Sequence, residues 1–269
     1  MAKYLDAIRT TVRQLLRDEI AEDITPDFAD DELDQHVNEC LIGISERSPR
    51  IVREITYATN KSGKATSTSA NHLVDATNAQ FVAGDVGKTV YNSTDETTAK
   101  ITAYTSTSDV TLDTDIMASG ESYYIFDTDC ISAKELDISD IEDLIEVEKA
   151  EYPTRQDPQD FRDVSIFGNI VRLNVDTVPD DGDEIFLYCN KVHSLTESTS
   201  TLKANLEKVL VEGVVAKVAQ AWCAEQKRKD IVPASIQGHQ DWADKQLAIY
   251  LRNLNLITKK RTWEFYSPH

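Results

Sequence analysis

Residues 206–222 read LEKVLVEGVVAKVAQAW, and this stretch decides the fold. Its apolar residues recur at intervals of three and four, which predicts an α-helix. They also cover much of the helix circumference and leave no fully polar face, so we expect this helix to lie at the centre of a bundle. The predicted core positions are Leu206, Leu210, Val214, Val218 and Trp222.

Helices at both ends of the chain supply partners for this central helix. The first fifty residues predict two amphipathic helices, separated by a break at Thr25-Pro26. Ser48-Pro49 ends the second of them, because a residue before proline avoids the helical conformation. A last helix follows Pro233. We therefore expect a helical bundle built from the two ends of the chain.

Three arginines of the first predicted helix, Arg9, Arg13 and Arg17, recur at a spacing of four residues. This spacing places them on one face of the helix. Two interpretations are open: a face exposed to solvent, or a row of ion pairs to a neighbouring subunit.

The chain between the helices has a β-type composition. Residues 58–128 are rich in Thr, Ser, Asp and Gly, and short β-type runs alternate with turn clusters. This pattern predicts a small all-β domain inserted between the helices. Further on, the runs 170–175 and 184–189 flank a turn at 179–183, which predicts an antiparallel hairpin.

Together these patterns predict an α+β fold: an α-helical bundle, an antiparallel β hairpin region and an inserted all-β domain. The predicted divisions are N-terminal helices in 1–57, the inserted domain in 58–128, an acidic β-rich region in 129–200, C-terminal helices in 201–258 and an extended tail in 259–269. The tail is basic and then aromatic, which is typical of a segment that docks on another protein. Its candidate docking residues are Lys259, Lys260, Arg261, Trp263, Phe265 and Tyr266.

The charge of the chain limits its partners. The formal net charge is −19, from 28 Lys and Arg against 47 Asp and Glu. Such a surface repels nucleic acid and cannot bind phosphates by releasing counterions, which excludes a general DNA-binding protein. A channel through which DNA slides without specific binding remains compatible with it. The charge is also polarised, since residues 127–190 hold 18 acids and 5 bases, whereas residues 201–262 hold 6 acids and 11 bases.

No motif predicts catalysis, a metal site or a cofactor. Gly87-Lys88-Thr89 resembles the end of a phosphate-binding loop, but Val82 stands where that motif has its first glycine. The four cysteines are far apart, and the acidic clusters lack the calcium-loop pattern. We therefore expect no enzyme activity. With neither a membrane-spanning run nor a signal peptide in sight, we expect a protein made in a cytoplasm.

Several short motifs occur in a recognisable order along the chain. They are Glu151-Tyr152-Pro153, Ile185-Phe186-Leu187-Tyr188 leading to His193-Ser194-Leu195, Ser200-Thr201-Leu202, Val211-Glu212-Gly213-Val214-Val215-Ala216 and Trp242-Ala243-Asp244-Lys245-Gln246-Leu247. With the N-terminal helix pair, they resemble the adaptor, or head–tail connector, proteins of tailed bacteriophages. The resemblance covers residues 1–57 and about 135–255, and the 58–128 segment is extra to the small helical members of that family.

The resemblance implies a structural protein of the virion neck that is made in the bacterial host. It implies a homo-oligomeric ring, usually of about twelve copies, which binds the portal protein and contacts tail or neck proteins. DNA passes through such a ring without specific binding, and no membrane is involved.

Two other functions compete with this interpretation. The 58–128 domain has six aromatic residues that suit a carbohydrate- or receptor-binding module: Phe81, Tyr91, Tyr104, Tyr123, Tyr124 and Phe126. The acidic clusters suggest a metal-dependent enzyme, although their spacing defines no ligand set.

Overall fold

The computed structural model of the chain describes residues 4–20, 28–228 and 234–265. This part of the protein is α+β, as the sequence predicts. Its four α-helices are α1 (Leu5–Ile20), α2 (Asp30–Arg47), α3 (Ala204–Arg228) and α4 (Ala234–Phe265). Its strands are β1 (Arg50–Tyr57), β2 (Lys61–Lys64), β3 (His72–Val74), β4 (Thr89–Asn92), β5 (Thr97–Ser106), β6 (Asp109–Leu112), β7 (Ser122–Phe126), β8 (Glu135–Asp137), β9 (Leu144–Glu151), β10 (Phe161–Arg162), β11 (Val164–Phe167), β12 (Ile170–Leu173) and β13 (Glu184–Lys191).

The chain divides into two compact units. The first comprises Met1–Ile51 and Asn190–His269, and the second comprises Val52–Cys189. In the first unit, residues from all four helices form one buried cluster, and the five predicted core positions on α3 all lie in it. None of the helices in the described ranges is long and apolar enough to span a membrane.

Three helices of the first unit meet closely at Gly213 of α3. A Cβ atom at this position would lie 2.7 Å from Cε2 of Tyr250 on α4 and 2.9 Å from Sγ of Cys40 on α2. Real Cβ contacts are longer than this, so the residue is glycine because the neighbouring helices leave no room for a methyl group. The approach also buries Tyr250 and Cys40, and burial raises the pKa of the Cys40 thiol to about 11.

The second unit contains two sheet regions with separate cores. Residues 61–126 form a six-stranded sheet of order β2-β7-β4-β5-β6-β3, in which all neighbouring strands are antiparallel. Its core includes Phe81, Val90 and Ile125, all fully buried. The remaining strands form a three-stranded antiparallel sheet, β11-β12-β8, and a four-stranded sheet, β1-β13-β9-β10. A second cluster of buried residues, including Ala150, Val171 and Leu187, belongs to these strands.

Two predictions about local structure are wrong. The runs 170–175 and 184–189 do not form a hairpin, because β12 pairs with β11 and β8 whereas β13 lies in the four-stranded sheet. The turn between them pairs instead with the end of β1: Ala58 N–H donates to the Asp183 carbonyl, and Gly182 N–H donates to the Ala58 carbonyl. The second helix ends at Arg47, before Ser48-Pro49 as predicted, but residues 50–57, which the predicted division 1–57 counts as helical, form β1 because half of their side chains are β-branched and favour a strand.

Candidate interaction surfaces

The predicted docking tail is not extended over its described part. The backbone of α4 is helical through Phe265, so Lys259, Lys260, Arg261 and Trp263 also lie on a helix. Lysine and arginine are good helix formers, and here they continue a long helix, which outweighs a short β-type alternation. Tyr266, the last of the candidate docking residues, lies outside the described residues. The docking role of the segment stays a prediction.

Two of the three predicted arginines of α1, Arg9 and Arg13, pair with carboxylates of the same chain, and the side chain of Arg17 lies outside the described residues. Arg9 donates two hydrogen bonds to Asp34 of α2, at 2.8 and 2.6 Å, and another to Glu197 at 2.7 Å. The hydrogen bond to Asp34 is the main reason why the pKa of Arg9 is raised. Arg13 donates to Asp30 at 2.6 Å. These contacts join α1 to α2 and to the turn before α3 within one chain.

His193 joins the end of α2 to the segment that leads into α3. Its backbone N–H donates to Ser45 Oγ at 2.9 Å, its Nε2 lies 2.9 Å from the Ser48 carbonyl oxygen, and its Nδ1 lies 3.1 Å from Thr201 Oγ1. A neutral imidazole protonated at Nε2 satisfies both ring contacts, with Thr201 as the donor to Nδ1. Burial lowers the pKa of His193 and keeps the ring neutral.

A buried ion pair lies in the six-stranded sheet region, at the segment that resembled a phosphate-binding loop. Lys61 Nζ lies 2.6 Å from Asp85 Oδ2, and both side chains are almost fully buried. Val82 N–H also donates to Asp85 Oδ2, and Lys88 Nζ lies 3.3 Å from Asp85 Oδ1. Burial alone would raise the pKa of Asp85, but these donors and charges outweigh burial and lower it. The lysine of the loop-like motif therefore helps to neutralise a buried carboxylate.

A polar network in the same region forms the floor of an open cleft of about 490 Å³. Asp75 is fully buried and accepts hydrogen bonds from Tyr123 Oη at 2.7 Å and from the Asn78 side chain at 2.9 Å. Gln80 in turn donates to Tyr123 Oη at 2.9 Å. Gly63 passes directly over the network, since a Cβ there would lie 2.5 Å from Asp75 Oδ2. The polar groups of the network form hydrogen bonds to one another, so we interpret the network as a structural feature that stabilises this region.

Three of the six aromatic residues that suggested carbohydrate binding are unavailable for stacking. Phe81, Tyr123 and Phe126 are buried in the described structure. Tyr91 and Tyr124 are half-buried, and Tyr104 is 38% exposed.

A surface that sequence reasoning missed lies on the four-stranded sheet. Three aromatic rings form its floor: Phe186 and Tyr188 of β13, and Phe161 of β10. The rings of Phe161 and Tyr188 meet edge to face, with centroids 5.5 Å apart. We call this surface the aromatic–cationic face, because basic side chains cover the rings.

Three cations cover this floor. Arg53 Cζ lies 4.5 Å and Arg155 Cζ 5.8 Å from the ring centroid of Phe186, and Lys149 Nζ lies 3.4 Å from the centroid of Phe161. Cation–π contacts of this kind fix the position of a charge that would otherwise move freely. In the sequence, Arg53 falls at the same alternate positions as the apolar residues Ile51, Ile55 and Tyr57, and these four residues are the exposed ones of β1.

In the described ranges, no group of three or more His, Cys, Asp or Glu side chains is arranged to hold a metal ion. Buried tyrosine and cysteine side chains in these ranges have raised pKa values, chiefly because burial disfavours their charged forms.

No model of a known protein family matches this chain, and no curated protein sequence matches it.

Proposed function

We propose that this chain is an adaptor subunit of the head–tail connector of a tailed bacteriophage. Copies of it form a ring beneath the portal, extend the DNA channel and join the head to tail or neck proteins. The observation that carries the proposal concerns the motifs that resemble adaptor proteins. Residues of these motifs lie where helices and connecting segments of the helical unit contact one another.

Two of these contact residues, Gly213 and His193, have a specific geometry. Gly213 is the point at which α2 and α4 approach α3, and its place in the motif follows from a space that excludes a methyl group. His193 holds the end of α2 and the segment before α3 through three contacts, one of them to Thr201 of another motif.

We further interpret residues 58–128, whose six-stranded sheet has a core of its own, as an insertion into the rest of the chain. The chain leaves the helices at Ile51 and returns to them at Asn190, and helices from both ends share one core. A net charge of −19 suits a channel wall that does not hold DNA.

The test is the mass of the purified chain, alone and with the portal protein of the phage that encodes it, measured by light scattering. We expect a portal-bound ring of about twelve copies, with a portal from an unrelated phage as the control. A chain that neither associates with itself nor binds its own portal would exclude the adaptor function.

The docking segment has a separate test. Replacing Lys259, Lys260 and Arg261 by glutamate should abolish portal binding and leave the thermal stability of the chain unchanged. Portal binding that survives the three replacements would exclude this segment, but not the adaptor function.

The alternative, a carbohydrate-binding module, draws support from the open polar cleft beside Tyr124. Glycan binding by the full chain, lost when Tyr124 is replaced by alanine, would favour it over the adaptor function.

A further inference from the structure

The aromatic–cationic face combines positive charge with exposed apolar surface. Arg155 is paired, because it donates two hydrogen bonds to Glu184 at 2.8 and 2.9 Å. Arg53 and Lys149 form no salt bridge in the described ranges, although the charge of Arg53 adds, after the hydrogen bond from Arg155, to the lowering of the pKa of Glu184. In a chain of net charge −19, Lys149 is held over an aromatic ring with no carboxylate at salt-bridge distance and can bind one, and Arg53 adds positive charge to the same face.

Exposed apolar side chains border these cations. Ile55 is 51% and Tyr57 is 56% exposed, and both share the exposed face of β1 with Arg53. Phe161, under Lys149, is 42% exposed. A contiguous surface of this kind is typical of a protein–protein contact rather than of a surface facing only water.

The same unit carries a surface of complementary chemistry, which we call the acidic run and define as residues 137–146. Its members Asp140, Glu142 and Glu146 are exposed and form no ion pair in the described part of the chain. Ile145 among them is 40% exposed. The acidic run therefore offers carboxylates and an apolar side chain, as the aromatic–cationic face offers cations and apolar side chains.

The two surfaces do not satisfy each other within one chain. Glu146 and Lys149 both lie on β9, and three residues of extended strand separate their backbones by about 10 Å. The rest of the acidic run precedes the strand, and no ion pair joins the run to the face among the described residues. A second copy of the chain can supply the carboxylates that the first copy cannot.

We propose that the acidic run of one copy binds the aromatic–cationic face of the next copy. Two different surfaces then meet, so each copy keeps one surface free for a further neighbour, and the contact generates a ring where the rotation closes. The inference rests on the ring proposed above and names the surfaces that would close it.

Two charge-reversed variants test the contact. The face variant carries Arg53→Glu and Lys149→Glu, and the run variant carries Asp140→Lys and Glu142→Lys. Asp143 is left intact because its φ of +58° makes substitution there strained. Matched controls of equal charge change in the same unit are Lys64→Glu with Lys100→Glu, and Asp176→Lys with Asp181→Lys; all four residues are exposed.

Self-association is measured by sedimentation velocity over a concentration series at low salt, after circular dichroism has shown that each variant melts like the wild type. Like charges brought together cost several kcal/mol, so each reversed variant alone should associate at least about tenfold more weakly than the wild type. An equimolar mixture of the two variants should associate again, because every contact then joins opposite charges. The controls should behave as the wild type.

A carbodiimide cross-link joins a lysine amine directly to a carboxylate, so it identifies the residues that meet in the contact between copies. In a mixture of ¹⁴N- and ¹⁵N-labelled chains, we expect mixed-label peptides that join Lys149 to Asp140 or Glu142. A wild type that stays monomeric at every concentration, reversed variants that associate normally, or a mixture that does not regain association would each overturn the inference.

The test of this contact and the test of the proposed adaptor function can fail independently. If the chain binds its portal as a complete ring and the reversed variants still form that ring, the adaptor function stands and this contact is wrong. If mixing restores association but the portal is never bound, the contact stands and the adaptor function fails.

Discussion

Replacing Gly213 by alanine tests whether three helices meet at this residue as the structure has them. In a helix interior, alanine is more favourable than glycine by about 1 kcal/mol. At this position, however, the new Cβ would lie 2.7 and 2.9 Å from the Tyr250 ring and 2.9 Å from Cys40 Sγ. Forcing a methyl group into a packed interior costs about 1–3 kcal/mol. Subtracting the gain of about 1 kcal/mol, we expect a net loss of about 0–2 kcal/mol in the free energy of unfolding.

The matched control is Gly238→Ala in α4. Gly238 is exposed, and a Cβ there meets no atom within 4 Å, so the helix preference acts alone and we expect a gain of about 1 kcal/mol. Urea unfolding followed by circular dichroism at 222 nm reports both variants. The reasoning is refuted if Gly213→Ala is as stabilising as the control, because the helices would then not approach as closely as described.

Three further predictions concern single contacts. The folded-state pKa of His193 lies below its usual value of 6.5, so protonation of the ring opposes folding. The free energy of unfolding should therefore fall as the pH drops below 6.5, by at most about 1.4 kcal/mol per pH unit. In thermal melts, a His193→Gln variant should lack this part of the pH dependence. Lys61→Met leaves a buried carboxylate short of its main partner and should cost about 3–5 kcal/mol in urea unfolding, whereas adding Asp85→Leu should recover part of the loss. Gly63→Ala should destabilise by about 1–3 kcal/mol because its Cβ would overlap a buried carboxylate, whereas Gly84→Ala, with open space around it, should not.

The helical part of the fold was readable because helix patterns are local. The periodicity of 206–222 and the breaks at Ser48-Pro49 and near Pro233 correspond to α3 and to the ends of its neighbours in the described structure. What the pattern could not show is which residues touch. The close approach at Gly213 depends on Tyr250 and Cys40, which are far away in sequence.

The β region was less predictable because strand pairing is not local. The runs 170–175 and 184–189 flank a good turn, and a hairpin is the simplest interpretation, yet β12 pairs with β11 across Gly168 and β13 joins another sheet. The turn that seemed to close a hairpin is held by hydrogen bonds to Ala58 instead. β2 and β3 escaped detection because both are short and β2 consists of Lys, Ser and Gly, which do not favour a strand.

The interaction surfaces were hidden for a related reason. The composition shows that acids exceed bases, but not which bases are already paired. Arg9 is paired within the helical unit, and Lys61 and Lys88 share the carboxylate of Asp85.

Other lysines of the described structure, such as Lys64 and Lys100, are exposed to water, where an unpaired charge costs nothing. Arg53 and Lys149 differ from both groups, since they are held over aromatic rings beside exposed apolar side chains and form no salt bridge in the described ranges. Holding a long side chain in one place loses conformational entropy, and an acidic neighbour that completes the charge pairs would offset that loss. In so acidic a chain the most abundant source of such a neighbour is another copy of itself, so the excess of carboxylates that repels DNA also favours the contact between subunits.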